Sequence, residues 1–339
     1  MKKYFPFLLL FCWVMAMAQK APDNRFVKEN FTKKEVYIPM RDGVKLFTSI
    51  YIPKDISKTK KYPFLMQRTC YSVAPYGENE YRSALGPNKY LMNEKYVFVY
   101  QDVRGRYMSE GTFTNMTPQV ERKTKKDVDE STDTYDTIEW LLKNIANNNG
   151  KVGQYGTSYP GFYTAAGILA DHPALVASSP QAPISDFWND DFLHNGKFML
   201  GYFRTFPVFG VQKTKAEKEG WYMDSFVKPT SEDGLKFYRE MGTLKDGYEK
   251  YYKDNFFMTE IMNHPNYDEY WQKRSLLPHL KNVNHAVMTV GGWFDAEDLA
   301  GPLNIYKTIE KTSPKAKNTI VMGPFSHGAW ARENGKHFH

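Results

Sequence analysis

One hexapeptide constrains this chain more than any other feature. Gly156-Thr157-Ser158-Tyr159-Pro160-Gly161 follows a short apolar run at 152–155 and leads into a small-residue stretch at 161–170. The run reads as a buried strand and the stretch as a helix, so the serine stands on a strand-to-helix turn. It is the G-x-S-x-G arrangement, here reading G-x-S-Y-x-G. Such a turn projects the serine hydroxyl out of the backbone and lets only glycine lie close on either side. Ser158 is therefore a candidate nucleophile; the alternative is that the glycines merely allow a helix to pack tightly on a sheet.

The surrounding chain supplies the sheet this turn needs. Residues 36–38 and 44–52 alternate in polarity around Arg41-Asp42-Gly43, the pattern of a hairpin. Short apolar runs at 63–66, 96–100, 175–178, 286–290 and 319–322 read as buried strands. Helical spacing appears at 127–149, with Ile138, Leu141, Leu142 and Ile145 on one face, Ser131 or Thr132 as cap and Gly150 as stop. A further helix is expected at 299–309. Strands alternating with helices predict a mainly parallel α/β sheet covered on both faces. The alternation stops at 187–280, a segment rich in aromatics and charge with helical stretches such as 232–241. That segment is expected to be an inserted, mainly helical cap.

A serine is a poor nucleophile at neutral pH, so a base must take its proton and a carboxylate must orient the base. Gly291-Gly292-Trp293-Phe294-Asp295 follows one predicted strand and Gly323-Pro324-Phe325-Ser326-His327 follows another. Both end in a loop at a strand tip, and the order Ser, Asp, His is the one this fold uses. Asp295 and His327 are thus the expected partners of Ser158. His172, His194 and His285 are rival bases without that placement. An oxyanion needs two fixed donors. The backbone N–H of Tyr159 is one, and the loop after the strand at 63–66 offers the Tyr71 phenol as the other, unless that ring is simply packed.

Composition bounds the setting. Lys2 and Lys3, an apolar run at 6–15 and Ala16-Met17-Ala18 read as an export signal, so the mature chain is expected to start near Gln19 and to be periplasmic or extracellular. Later apolar runs are all interrupted within about ten residues, too soon for a membrane span. Cys12 leaves with the signal, so Cys70 has no intrachain disulfide partner. Without the two lysines the formal charge falls from +7 to +5, and the basic residues are interspersed with acids, which excludes a nucleic-acid stripe.

Together these motifs resemble the hydrolase family that includes cocaine esterase, X-prolyl dipeptidyl peptidases, glutaryl acylases and the α-amino acid ester hydrolases. The matching segments are Met40-Arg41-Asp42-Gly43-Val44-Lys45-Leu46, Arg68-Thr69-Cys70-Tyr71, Gln101-Asp102-Val103-Arg104-Gly105-Arg106, residues 156–161, Gly292-Trp293-Phe294-Asp295 and Gly323-Pro324-Phe325-Ser326-His327. The resemblance implies an α/β-hydrolase fold, and it implies that Tyr71 donates its hydroxyl to the oxyanion. Asp102, Arg104 and Gly105 match a motif whose role is read as architectural. The α-amino acid ester hydrolases are the most similar branch, through Asp295-Ala296-Glu297-Asp298 and Asp190-Asp191. By that resemblance Asp191, Glu297 and Asp298 form a carboxylate cluster for the substrate's α-ammonium group. Convergent carboxylates take up protons unless a cation neutralises them, and an ammonium is such a cation. The alternative is that Glu297 and Asp298 begin the next helix, where acids favour the dipole.

Relatives continue past the triad histidine into a jelly-roll domain, whereas His339 comes twelve residues after His327. The expectation is a chain without that domain, a fragment or a version that has lost it. The predicted organisation is a signal at 1–18, a hydrolase core at 19–186 and 281–339, and the cap at 187–280. The expected chemistry is two-step acyl transfer on a small-molecule or short-peptide substrate, with no metal or organic cofactor required; self-association is compatible with it. An X-Pro dipeptidyl peptidase and a catalytically inactive binding scaffold are the rival readings.

Overall fold

The computed structural model describes residues 23–331 except 122, 123, 125 and 206. The export signal expected at 1–18 lies outside the described residues. Among these residues one eight-stranded sheet organises the chain. Its strands are β1 (Phe31–Pro39), β2 (Lys45–Pro53), β3 (Tyr62–Thr69), β4 (Val97–Asp102), β5 (Asn148–Thr157), β6 (Leu175–Gln181), β7 (Ala286–Gly292) and β8 (Asn318–Gly323). They lie in the order β1-β2-β4-β3-β5-β6-β7-β8. The first hairpin turns at Gly43, whose φ of +89° is open to glycine at no steric cost. β1 and β2 are antiparallel to each other, β2 is antiparallel to β4, and every later pair is parallel. This is the α/β-hydrolase architecture.

The sheet was expected to be covered on both faces, but it is so only in part: Val176, Met288 and Val321 on β6, β7 and β8 stay exposed, whereas β4 is enclosed on both sides as a strand under helices must be. All six residues of β4 are buried. On one face α1 (Glu130–Asn144) sets Ile138, Leu141 and the following Ile145 against Phe64, Met66, Val97, Val99 and Val152. The cap of α1 differs from expectation. Asp129, not Ser131 or Thr132, is the N-cap; its carboxylate accepts from the N–H of Ser131 and Thr132, and the Thr132 hydroxyl receives the Asp129 N–H at 2.9 Å. A carboxylate wins this position because it pairs with the helix dipole as well as with the free N–H groups. Nor does Gly150 end the helix. The chain leaves α1 at Ile145 and β5 begins at Asn148, so Gly150, with φ of +77°, lies within the strand span.

Arg68 at the end of β3 is buried, donates to Gln101 Oε1 and to the Glu130 carbonyl at 2.9 Å each, and pairs with the Glu130 carboxylate at 3.0 Å. Arg104 bridges Asp42 and Asp133 at 2.7 Å each. These ion pairs tie the first hairpin, β3, α1 and the loop after β4 into one block below the C-terminal ends of the strands. Between β6 and β7 the chain makes a two-residue hairpin, Leu193–His194 with Lys197–Phe198, and then short helices including Gly234–Met241 and Phe256–Asn263. Their aromatic side chains join the core formed by α2 (Tyr159–Ile168), where Phe187, Phe192, Phe209 and Phe257 pack around Tyr159 and Phe162. No helix among the described residues is long and apolar enough to cross a membrane.

Candidate active site

Every parallel strand ends at the same edge of the sheet, so the loops that follow β3, β5, β6, β7 and β8 converge there. Ser158 sits between β5 and α2 with φ of +68° and ψ of −130°, a conformation non-glycine residues rarely adopt. Its N–H donates to the carbonyl of Gln181 at the end of β6, at 2.9 Å. A Cβ on Gly156 would strike the Pro160 carbonyl, and one on Gly161 would strike the Gln181 carbonyl. Both flanking glycines are therefore demanded by main chain, and the strain falls on the serine between them. Pro160 lies in the first turn of α2, where its missing N–H costs nothing. Tyr159 opens that helix, so its N–H has no acceptor within it.

Asp295 follows β7 and is buried. Its Oδ2 accepts from His327 Nδ1 at 2.8 Å, while Oδ1 accepts the N–H groups of Glu297 and Asp298 at 2.9 Å each. Burial alone raises its pKa, but the His327 hydrogen bond and charge, with those two backbone donors, outweigh it and hold the carboxyl below its usual range. An ionised Asp295 can only accept, so Nδ1 carries the imidazole proton and Nε2 keeps its lone pair whenever His327 is neutral. Burial disfavours the imidazolium, yet the Asp295 hydrogen bond, then the Asp295, Glu297 and Asp191 charges, raise the His327 pKa overall.

The loop carrying His327 runs beside the turn that holds Ser158: a Cβ on Gly328 would lie 3.7 Å from the Thr157 side chain, and Trp330 Nε1 donates to Gln181 Oε1 at 2.7 Å. Among the described residues no hydrogen bond joins the Ser158 hydroxyl to His327. Nε2 instead lies 3.6 Å from Glu297 Oε2. The three rival histidines are otherwise engaged. His172 pairs with Glu139 and accepts the Ala174 N–H, His285 meets Ser178 at 2.8 Å, and His194 meets the Glu297 carbonyl at 3.1 Å.

Tyr71 stands two residues beyond β3. Its ring meets Tyr159 and Phe209 edge-on at 6.5 and 6.2 Å, and 38 % of its surface stays open. Its surroundings, with Asp191 and Asp298 among them, push the phenol pKa well up, burial first, so the hydroxyl remains protonated and can donate. Asp102 at the end of β4 secures this loop: it accepts the Val73 N–H at 3.0 Å and the Tyr76 hydroxyl at 2.9 Å. Gly105 beside it has φ of +71°, and a Cβ there would run into the Phe113 backbone.

The acids after Asp295 do not belong to a helix. α3 (Ala300–Thr312) has Leu299 as its N-cap, so Glu297 and Asp298 precede its first turn. Asp190 accepts from the Ser185 N–H and hydroxyl and from the Gly301 N–H, pinning the segment after β6 to α3. Its neighbour Asp191 is buried at φ of +64°, and its N–H donates to the Glu297 carbonyl at 3.0 Å. Asp298 is 0 % exposed and neither of its carboxylate oxygens has a hydrogen-bond partner. Burial, followed by the charge of Glu297 for Asp191 and of Asp191 for Asp298, drives both pKa values well above the usual carboxylate range. The ligand atoms of Glu297, Asp298 and His327 lie within 4.8 Å of one another.

Two participants carried no readable signal. Tyr202, in the aromatic-rich segment between β6 and β7, has its phenol pKa raised by burial and by the Asp191 and Glu297 charges. Phe209 stacks on Tyr159 with centroids 5.2 Å apart. Aromatics are so frequent in that segment that neither stands out by spacing. A cavity of about 610 Å³ lies elsewhere, along Tyr155, Ser178, Met288 and Trp330, and contains none of the acids or bases described above.

The sequence model described as X-Pro dipeptidyl-peptidase (S15 family) matches residues 42–329. Cocaine esterase from Rhodococcus sp. (strain MB1 Bresler) is 24 % identical over 317 residues, covering 86 % of this chain and 48 % of that protein. Among solved structures, an aminopeptidase from the marine sediment archaeon Thaumarchaeota archaeon is 33 % identical with a TM-score of 0.78, over 90 % of this chain and 50 % of that one. A selenomethionine-labelled α-amino acid ester hydrolase is 29 % identical with a TM-score of 0.77, over 95 % and 52 %. The chain spans about half the length of the curated relatives it matches.

Proposed function

We propose that this chain, which belongs to the X-Pro dipeptidyl-peptidase (S15) family, hydrolyses small esters or amides whose acyl group carries a free α-amine. The observation that carries this reading is the partnerless, buried carboxylate of Asp298 beside Asp191, Glu297 and the His327–Asp295 pair. An ammonium group supplies the charge and the N–H donors that these acids lack. Its likeness to an α-amino acid ester hydrolase supports the same substrate class.

The chemistry runs in two acyl-transfer steps. Substrate ammonium binds Asp191, Glu297 and Asp298 and draws Glu297 away from His327 Nε2, which is then free to take the Ser158 proton. The Ser158 oxygen attacks the acyl carbon, and the oxyanion is held by the Tyr159 N–H and the Tyr71 hydroxyl. His327 returns the proton to the leaving group, an acyl-enzyme remains, and water activated by the same imidazole resolves it. Residues 187–280 act as a cap that shapes access, and the chain is exported through the signal at 1–18.

A peptidase reading has its own support in the likeness to an archaeal aminopeptidase. It needs the same amine anchor. Three measurements separate the cases: labelling with a fluorophosphonate, turnover of a glycine ester, and turnover of an X-Pro anilide. A hydrolase is labelled and Ser158→Ala is not. An ester hydrolase prefers the first substrate, an X-Pro dipeptidyl peptidase the second. Undiminished turnover in Ser158→Ala removes the nucleophile assignment, and absence of labelling in the wild type favours a scaffold.

A further inference from the structure

The same corner presents a second chemistry that the hydrolytic reading leaves unused. His327 Nε2 and Glu297 Oε2 are 3.6 Å apart, and one ligand atom from each of His327, Glu297 and Asp298 lies within 4.8 Å of the other two. Two donors on one tetrahedral zinc ion, each about 2.1 Å from the metal, stand roughly 3.4 Å from each other. The first pair, at 3.6 Å, is within a few tenths of an ångström of that separation. Asp298 is the independent pointer to a cation, since a fully buried carboxylate with both oxygens unpartnered is costly to leave ionised. The donor set decides which cation. An imidazole nitrogen with two carboxylates suits zinc, whereas calcium and magnesium prefer oxygen alone. Asp295 supplies the outer partner such a histidine ligand needs, because its carboxylate accepts from Nδ1 at 2.8 Å and leaves Nε2 to face the cluster.

We propose that His327, Glu297 and Asp298 form a reversible zinc site that switches the hydrolase off. The inhibitory consequence rests on the functional reading above; the binding itself does not. The lone pair that coordinates zinc is the one that must accept the Ser158 proton, so occupied chains have no base. Zinc and substrate ammonium also claim the same carboxylates, and one excludes the other. The fourth position of the ion remains open to water.

The test uses the full chain. Equilibrium dialysis of the Ser158→Ala protein against zinc chloride should give one ion per chain at micromolar concentration, with calcium and magnesium failing to compete at millimolar levels. Glu297→Gln and Asp298→Asn, each placed in that background, should weaken zinc by at least tenfold. Glu297 is partly exposed, so its variant remains informative where the Asp298 variant folds poorly. In the wild type, zinc should suppress a glycine ester and a simple acetate ester alike, and EDTA should restore both. A Ser158→Ala protein that binds no zinc, or binds it unchanged after both substitutions, overturns the site. Suppression of the glycine ester alone overturns the participation of His327. A wild type without any esterase activity while Ser158→Ala binds zinc would fault the hydrolase reading and leave the metal site standing.

Discussion

Replacing Asp298 by asparagine should make the free protein more stable and a worse enzyme, and the two effects have one cause. Asp298 is fully buried without a partner on either oxygen, and burial, then Asp191, raises its pKa far above the ordinary range. A carboxyl group whose folded-state pKa is raised binds more protons folded than unfolded, so stability is highest at acid pH. It falls as pH climbs from the unfolded pKa toward the folded one. The slope is at most about 1.4 kcal/mol per pH unit for one such group. Asparagine has nearly the same shape and does not ionise. Removing a carboxyl that must either ionise without a partner or hold a proton should therefore gain at most about 5 kcal/mol near pH 7.5, the slope acting over the roughly 3.6 pH units above the ordinary aspartate value, with roughly 2–4 °C of Tm for each kcal/mol in a domain of this size.

Catalysis moves the other way. A desolvated charge pair with an ammonium is worth about 2–5 kcal/mol, so kcat/KM for a glycine ester should drop by roughly 30-fold or more, while an acetate ester changes by less than about threefold. The assay is a pair of thermal-melt series from pH 4.5 to 8.5 in EDTA, with ester kinetics at pH 7.5. The curves should nearly coincide at the acid end and separate steadily as pH rises, with the variant above. A variant that melts below the wild type at pH 8, or a gap indifferent to pH, would refute the idea that an unpartnered carboxyl with a raised pKa resides there.

Tyr71→Phe should lower kcat by about 10²-fold with KM little changed, because a donor aimed at the oxyanion acts in the transition state; equal kcat would return Tyr71 to a packing role. His327 must be neutral to act and its pKa is raised by Asp295 and Glu297, so the acid limb of kcat/KM on an acetate ester should lie above pH 6.5 and move to lower pH in Glu297→Gln. An unmoved limb would show that Glu297 does not act on the base. Gly161→Ala places a methyl against the Gln181 carbonyl, which should cost about 1–3 kcal/mol of stability; fluorophosphonate labelling of Ser158 should slow at least tenfold, and unchanged labelling would mean the turn tolerates a side chain there.

Local features were legible in the sequence where one physical constraint acts on neighbouring residues. Gly156 and Gly161 announce a crowded turn because main chain occupies the space of both Cβ atoms, and the structure places the resulting strain at Ser158, with φ of +68°. β4 reads as a short apolar run because both of its faces are buried. Precision failed where alternatives were chemically close: Ser131, Thr132 and Asp129 are all good caps, and only the geometry of α1 selects the aspartate.

What no local pattern encodes is convergence. Glu297 and Asp298 read equally well as dipole-friendly acids at a helix start, and the choice turns on α3 beginning at Ala300 while Asp295 captures both of their N–H groups. Asp190 and Asp191 are adjacent and alike in type, yet one spends its oxygens on Ser185 and Gly301 while the other, buried, is acted on by the charges of Glu297 and His327. Adjacent residues are assigned opposite fates by the left-handed backbone at Asp191, which turns one acid into the scaffold and the next toward the site. A cluster built this way carries repulsion that its own neighbours do not relieve, and folding alone gives no reason to keep it. A bound cation would, and the proposed substrate class and the proposed zinc inhibition both rest on the same unpaired oxygens of Asp298.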